Sequence, residues 1–227
     1  MNTHYTYFLI LALSITGPLA LSFDKKVTFY RNWKYLFPAM ITPAIIYIAW
    51  DVFFTHLNIW YFSKKYTTGI KIINLPIEEV LFFIIIPYCC VFVYECMRSY
   101  LPGKFASPIW KQLLYALAFL LLVAGLLHCN LYYTGFTFIG AGAFILAILG
   151  LKKQFQHFHA GYFLVSYVIS LVPFLIVNGF LTALPVVIYN DSENMGIRIF
   201  TIPFEDIFYG MLLMLMIIAD YERRKNK

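Results

Sequence analysis

The sequence predicts an all-α membrane protein of seven transmembrane helices, arranged as two parallel three-helix repeats joined by a linker helix, with the N-terminus outside and the C-terminus in the cytoplasm. Three observations predict it. Hydrophobic residues make up 62% of the 227 positions and the mean hydropathy is +0.76. Seventeen basic and eleven acidic side chains are too few to give such a chain a water-soluble surface. One fifteen-residue segment recurs, in the same register, 127 positions further on.

Apolar stretches of spanning length, roughly 17–25 residues, fall at 4–22, 34–54, 76–97, 110–128, 131–151, 160–182 and 203–221. No basic n-region precedes the first stretch and no small-residue cleavage site follows it, so it is expected to be a retained helix and not a signal peptide. Basic residues stay on the cytoplasmic side in short loops. With the N-terminus outside, thirteen of them are cytoplasmic: Lys25, Lys26, Arg31 and Lys34; Arg98, Lys104 and Lys111; Lys152 and Lys153; Arg223, Arg224, Lys225 and Lys227. Only Lys64, Lys65, Lys71 and Arg198 are then external. Topology and anionic lipid account for the +6 net charge, and no nucleic-acid partner is implied. Cys89, Cys90 and Cys96 in the third helix and Cys129 after the fourth show neither zinc-site nor disulfide spacing. The sequon at Asn190, Asp191 and Ser192 is a short pattern of little weight.

The recurring segment is "GIKIINLPIEEVLFF" from Gly69, aligned without a gap on "GIRIFTIPFEDIFYG" from Gly196. Pro76 falls on Pro203, Glu78 on Glu205 and Glu79 on Asp206; upstream, Asp51 falls on Asn178 and Phe53 on Phe180. The chain therefore divides into a first repeat at 1–104, a linker helix at 105–130 and a second repeat at 131–227. Three crossings invert a repeat and the fourth helix restores it, so the halves are expected to be related by an axis along the membrane normal. Glu78, Glu79, Glu205 and Asp206 then begin the third and seventh helices, and Asp51 and Asn178 end the second and sixth, all towards the outer side.

An ionised carboxylate deep in a bilayer costs about 2.5–3.5 kcal/mol, so two adjacent acids at each of two helix starts must face a cavity, find a partner or hold a proton. Such a pair allows one member to stay neutral while the other ionises, the division that acid–base catalysis uses. Asn74 and Thr201 precede the prolines as possible caps. Neighbouring residues on a helix diverge by about 100°. One acid of each pair, either the first or the second, is therefore expected to serve the helix end or structural hydrogen bonds. The plain alternative is a capping acid near an interface, which repetition of the motif disfavours.

The "PIEE" of Pro76–Glu79 and the "PFEDIFY" of Pro203–Tyr209, preceded by "WD" at Trp50 and Asp51 and "NGFLT" at Asn178–Thr182, resemble the membrane-embedded lycopene cyclase domain family. Over essentially the whole chain the resemblance is to the fused form of cyclases that otherwise act as two small membrane polypeptides, with no synthase domain attached. It implies an isomerase of the intramolecular-lyase type, a lycopene β-cyclase that converts the ψ-ends of lycopene to β-ionone rings, through γ-carotene to β-carotene. A neutral acid would protonate the terminal alkene, a neighbouring alkene would attack the cation, and a base would remove a proton. No Gly-x-Gly-x-x-Gly follows a strand, so neither a flavin nor another cofactor is expected, and no metal. The resemblance makes Glu78, Glu79, Glu205 and Asp206 the catalytic candidates, with Asp51 and Asn178 as supporting polar groups.

Arg198 either pairs with one of these acids or snorkels at the boundary. Trp50, Phe82, Phe83, Phe208 and Tyr209 are candidates for cation-stabilising walls, although in a chain that is 20% aromatic each also reads as ordinary packing. His157 and His159 lie beside Lys152 and Lys153 and read as a cytoplasmic interfacial loop, while His56 is an isolated candidate assistant near Asp51. Expected partners are lycopene or a related carotenoid and membrane lipid, with a homo-oligomer or contact with other carotenoid enzymes also possible; the expected location is the inner (plasma) membrane. The competing readings are a membrane cyclase of another polyprenoid and a small proton-coupled transporter. A retinal-binding protein fails because residues 203–221 contain no lysine.

Overall fold

A computed structural model describes residues 3–226, so Lys227, counted above among the cytoplasmic bases, lies outside the described residues. The described residues form seven α-helices: α1 (Thr6–Leu21), α2 (Trp33–His56), α3 (Ile77–Tyr100), α4 (Ile109–Leu127), α5 (Tyr132–Gly150), α6 (Ala160–Ala183) and α7 (Glu205–Lys225). The first six are long and apolar enough to cross a membrane. Apolar side chains such as Leu13, Phe119, Leu127 and Val172 stand exposed on them, as expected where lipid is the solvent. The seventh is 21 residues long but carries acids in its first turn and bases in its last. It tolerates them because it is enclosed: α2, α3, α5 and α6 all pack against it, and Met211 to Leu215 are buried without a break.

The two acid-bearing helices, α3 and α7, hold the others in a regular way. The first helix of each repeat lies on the third helix of the same repeat, α1 on α3 and α5 on α7. The second helices cross over, α2 onto α7 and α6 onto α3. The linker α4 lies on α5 at two glycines. A Cβ at Gly142 would stand 2.8 Å from Leu122 Cγ and 3.0 Å from the Ala118 carbonyl, and one at Gly125 would stand 3.0 Å from the Ile139 amide nitrogen. Small residues allow this approach where lipid offers no hydrophobic drive between helices. Gly142→Ala is therefore expected to lower the melting temperature in detergent, costing about 1–3 kcal/mol as an overpacked contact. An unchanged melting temperature would show that α4 is not seated there.

Short strands connect second to third helices in both repeats. Strand β1 (Trp60–Phe62) is followed by a hairpin of β2 (Lys71–Ile72) and β3 (Leu75–Pro76); β4 (Val187–Tyr189) is followed by a hairpin of β5 (Arg198–Ile199) and β6 (Ile202–Pro203). The hairpins match in detail. Each turns on a residue with positive φ, Ile73 at 59° and Phe200 at 56°. In each, the amide that opens the following helix donates back at 2.9 Å, Ile77 to the Ile70 carbonyl and Phe204 to that of Ile197. Strands β1 and β4 pair antiparallel, with Trp60 opposite Tyr189, Tyr61 opposite Ile188 and Phe62 opposite Val187. Each strand thus meets its own counterpart at the 127-residue offset.

Asn74 and Thr201 are not helix caps, which corrects the sequence expectation. They sit in the hairpin turns, whereas Pro76 and Phe204 immediately precede the helices. Their side chains instead tie the turns to the preceding helices: Asn74 Nδ2 donates to the Val52 carbonyl at 2.9 Å, and the Thr201 hydroxyl bonds that of Thr182 at 2.6 Å.

Candidate active site

Both acids of each pair are buried, but they do different things. Glu78 Oε1 accepts the Thr68 amide at 2.7 Å, and Glu205 Oε1 accepts the Met195 amide at 2.8 Å. These are equivalent bonds 127 residues apart, each pinning the loop ahead of a hairpin to the helix that follows. Glu205 also accepts from the Thr134 hydroxyl at 2.6 Å. About 100° further round the helix, Glu79 and Asp206 point in another direction and line a cavity. The expectation that one acid of each pair serves structure is met by the first.

The space that Glu79 and Asp206 line, counted together with what is open to the surroundings, is about 810 Å³, and its wall is mostly apolar and aromatic. Asp51 and Asn178, from the ends of α2 and α6, join Glu79 and Asp206 in its wall, so residues from four helices converge. The Asp51 and Glu79 carboxyl groups are neighbours in this wall. Two buried carboxyls side by side favour one of them holding a proton. The Tyr209 phenol donates to Asp51 at 2.6 Å, and that of Tyr7 to Glu79 at 2.6 Å.

Asp206 is set differently. It accepts from Tyr133 at 2.5 Å, Tyr189 at 2.9 Å and Asn178 Nδ2 at 3.4 Å. Three donors point at this carboxyl group, where Glu79 has a second acid beside it. Burial, and then the nearby Asp206 charge, push the Tyr189 phenol well above its ordinary range. Tyr189 therefore keeps its proton and remains a donor. The replacement of Asp51 by Asn178 in the second repeat is what separates the two halves chemically: an acid beside Glu79 becomes an amide donor beside Asp206.

Of the candidate walls, Phe82 and Tyr209 line the cavity. Trp50 and Phe83 pack behind it around Tyr47, and Phe208 packs between Phe138 and Phe204. Arg198 does not pair with a cavity acid: its guanidinium bonds Asp191 and, at 2.6 Å, the Thr201 carbonyl, because β5 carries it to the hairpin surface. His56 is exposed at the end of α2 and does not reach the cavity. Among the described residues no group of three or more His, Cys, Asp or Glu could hold a metal ion.

Sequence reasoning missed Tyr7, Tyr133 and Tyr189. Tyr7 and Tyr133, the donors to Glu79 and Asp206, are themselves repeat partners, displaced to 126 residues by one position. An alignment extended upstream with a single gap would have found them.

Helices apolar enough for a membrane, around a carboxyl-bearing cavity of otherwise largely apolar and aromatic wall, make up a membrane-embedded site suited to proton chemistry on a hydrophobic molecule. The comparison with protein families gives that class its particular member: the lycopene cyclase family model matches residues 4–97 and 130–223, one stretch in each repeat, and the chain belongs to that family. It is accordingly a multi-pass membrane cyclase of carotenoid biosynthesis, acting on a carotenoid in a lipid environment. No curated protein and no solved structure matches it.

Within this site Tyr133→Phe removes the shortest of the three bonds to Asp206 while keeping the ring. Cyclisation is expected to slow by about tenfold, the scale of one charge-assisted hydrogen bond of roughly 1.5 kcal/mol. Pigment conversion per unit of membrane protein measures it, and wild-type conversion would remove Tyr133 from the site.

Proposed function

We propose that the chain is a cofactor-free lycopene β-cyclase that forms β-ionone rings by proton transfer from the Asp51–Glu79 side of the cavity and back to Asp206. One observation carries the reading: two neighbouring buried carboxyls, able to hold one proton between them, and a carboxyl group held by three donors line the same largely apolar cavity. The shared proton adds to the terminal alkene of a ψ-end and leaves a tertiary cation. The neighbouring alkene attacks it, closing the six-membered ring and moving the cation into the ring. Asp206 removes a ring proton to form the ring alkene, so one proton enters, one leaves and no electrons are exchanged. Tyr209, over the same space, offers an aromatic face to the cation. Glu78 and Glu205 hold the two helix starts in register.

We further infer an N-out, C-in arrangement in the inner (plasma) membrane, with repeats 1–104 and 131–227 related by a two-fold axis along the membrane normal and 105–130 as the linker. The self-complementary pairing of β1 with β4 and the crossed packing of α2 and α6 support that axis. The test is expression in a lycopene-accumulating bacterium with pigments separated by chromatography. β-Carotene, with γ-carotene as the intermediate, is the expected result. Unchanged lycopene in cells holding abundant protein in the membrane would overturn the activity, and ε- or γ-rings would overturn the ring type.

A further inference from the structure

The cavity is two-fold in its upper part and one-sided below. Around the carboxyls both members of each repeat pair line it: Glu79 with Asp206, Asp51 with Asn178, Phe82 with Tyr209. The rest of its lining is one-sided: α6 contributes Phe174, Ser170 and Tyr167 and α3 reaches as far as Cys90, whereas α2 contributes Asp51 alone, and we read this side as a leg along α6. From Glu79 to Cys90 is eleven residues, about 16 Å of helix. Gly210 of α7 lies in the wall of this leg, where a Cβ would stand 3.3 Å from Phe174 Cζ.

The equivalent leg along α2 is filled. At the 127-residue offset Gly210 corresponds to Phe83, and Phe174 to Tyr47. Both Phe83 and Tyr47 are completely buried. Their ring centroids are 5.6 Å apart, and Tyr47 stands 4.7 Å from Tyr209 and donates to the Tyr209 carbonyl at 2.8 Å. A phenylalanine in place of the glycine, locked by a buried tyrosine, closes on one side what the glycine leaves open on the other.

We propose that the linear part of the carotenoid lies in the α6 leg alone, that Gly210 is the specificity-determining residue that admits it, and that the enzyme engages one substrate end per binding event. The inference rests on the cyclase reading above. A molecule with two ψ-ends must then leave as the monocyclic product and re-enter reversed before its second ring can form, because Phe83 and Tyr47 fill the corresponding place on the other side.

Gly210→Leu puts a branched side chain into the leg, against Phe174. Purified in detergent after expression with lycopene, it is expected to retain at least about tenfold less carotenoid and to cyclise at least about tenfold more slowly than wild type. Adding Phe174→Ala to the same chain should restore much of both by returning the volume. Wild-type retention and turnover in Gly210→Leu would overturn the proposal. A second measurement uses the wild-type chain and so decides the matter even if the variants do not fold. At early conversion the product is expected to be monocyclic, and raising the lycopene concentration should raise the ratio of monocyclic to bicyclic product. Bicyclic product from the first time point, insensitive to excess lycopene, would overturn the single leg. A wild-type chain that binds lycopene without converting it would overturn the cyclase reading instead, and carotenoid retention by Gly210→Leu would still decide the leg.

Discussion

Asp206→Asn is expected to leave lycopene uncyclised in cells that contain normal amounts of the protein, a loss of at least about 10²–10⁴-fold, the usual contribution of a positioned general base. The variant keeps the shape of the side chain but cannot take up a proton. Its amide also turns a donor towards Tyr133, Tyr189 or Asn178, where Asp206 has only acceptors to offer. Glu79→Gln should fall comparably, since an amide in the cavity wall beside Asp51 cannot hold and release a carboxyl proton. The informative contrast is Glu205→Gln, one residue away in the same motif. Its side-chain carbonyl can still accept the Met195 amide and the Thr134 hydroxyl, and it lies outside the cavity wall. It should therefore retain most of the turnover. Chromatography of pigments beside an immunoblot of the membrane fraction separates lost chemistry from lost protein. Full cyclisation by Asp206→Asn, or equal loss in Asp206→Asn and Glu205→Gln, would sink the division of labour between the two acids.

The second large effect is expected at the opposite end of the same helices, on stability. Glu95 and Glu222 are buried near the ends of α3 and α7, at the 127-residue offset. Each pairs with the base of the other helix. Lys225 Nζ reaches both oxygens of Glu95 at 2.8 and 2.7 Å, and Arg98 bonds Glu222. Tyr221 donates to Glu95 at 2.9 Å and Asn226 Nδ2 to Glu222 at 3.1 Å. The two reciprocal ion pairs close α3 onto α7 away from the cavity. Glu222→Leu leaves the partly buried Arg98 without its counter-ion and should cost about 3–5 kcal/mol, read as a steep fall in detergent melting temperature. Glu222→Leu with Arg98→Leu should recover much of that, because the unpaired charge, more than the lost attraction, is the source of the penalty. Equal, additive losses in a double-mutant cycle would show that the two side chains are not coupled.

That clamp was readable and was passed over. "YECMR" at Tyr94–Arg98 and "YERRK" at Tyr221–Lys225 continue the same register that links "PIEE" to "PFED". The tyrosine, the acid and the base recur, but the alignment stopped at the cavity end of the helices. The helices themselves followed from hydropathy with ends displaced by a few residues, as at α7, which runs on to Lys225 because its charged last turn is paired inside the bundle. The hairpins were not foreseen. Two-residue strands have no periodicity to show, and a turn at Ile73 or Phe200 contradicts the usual preference for glycine at positive φ.

The sequence alone established the helices apolar enough for a membrane, the duplicated acid motif and the family, since each depends on local composition or on a register repeated within the chain. It left open which acid of each pair meets substrate, because a 100° step on a helix has meaning only once the neighbours on every side are known. The fold brings Thr68 and Met195 to Glu78 and Glu205, and Tyr7 and Tyr133 to Glu79 and Asp206, so that only the second acid of each pair lines the cavity. It also made two near-identical repeats unequal. Asp51 against Asn178, and Phe83 against Gly210, are single-residue differences in a line of sequence. They set a second acid on one side of the cavity and a glycine in place of a buried phenylalanine on the other only where both repeats pack around one cavity.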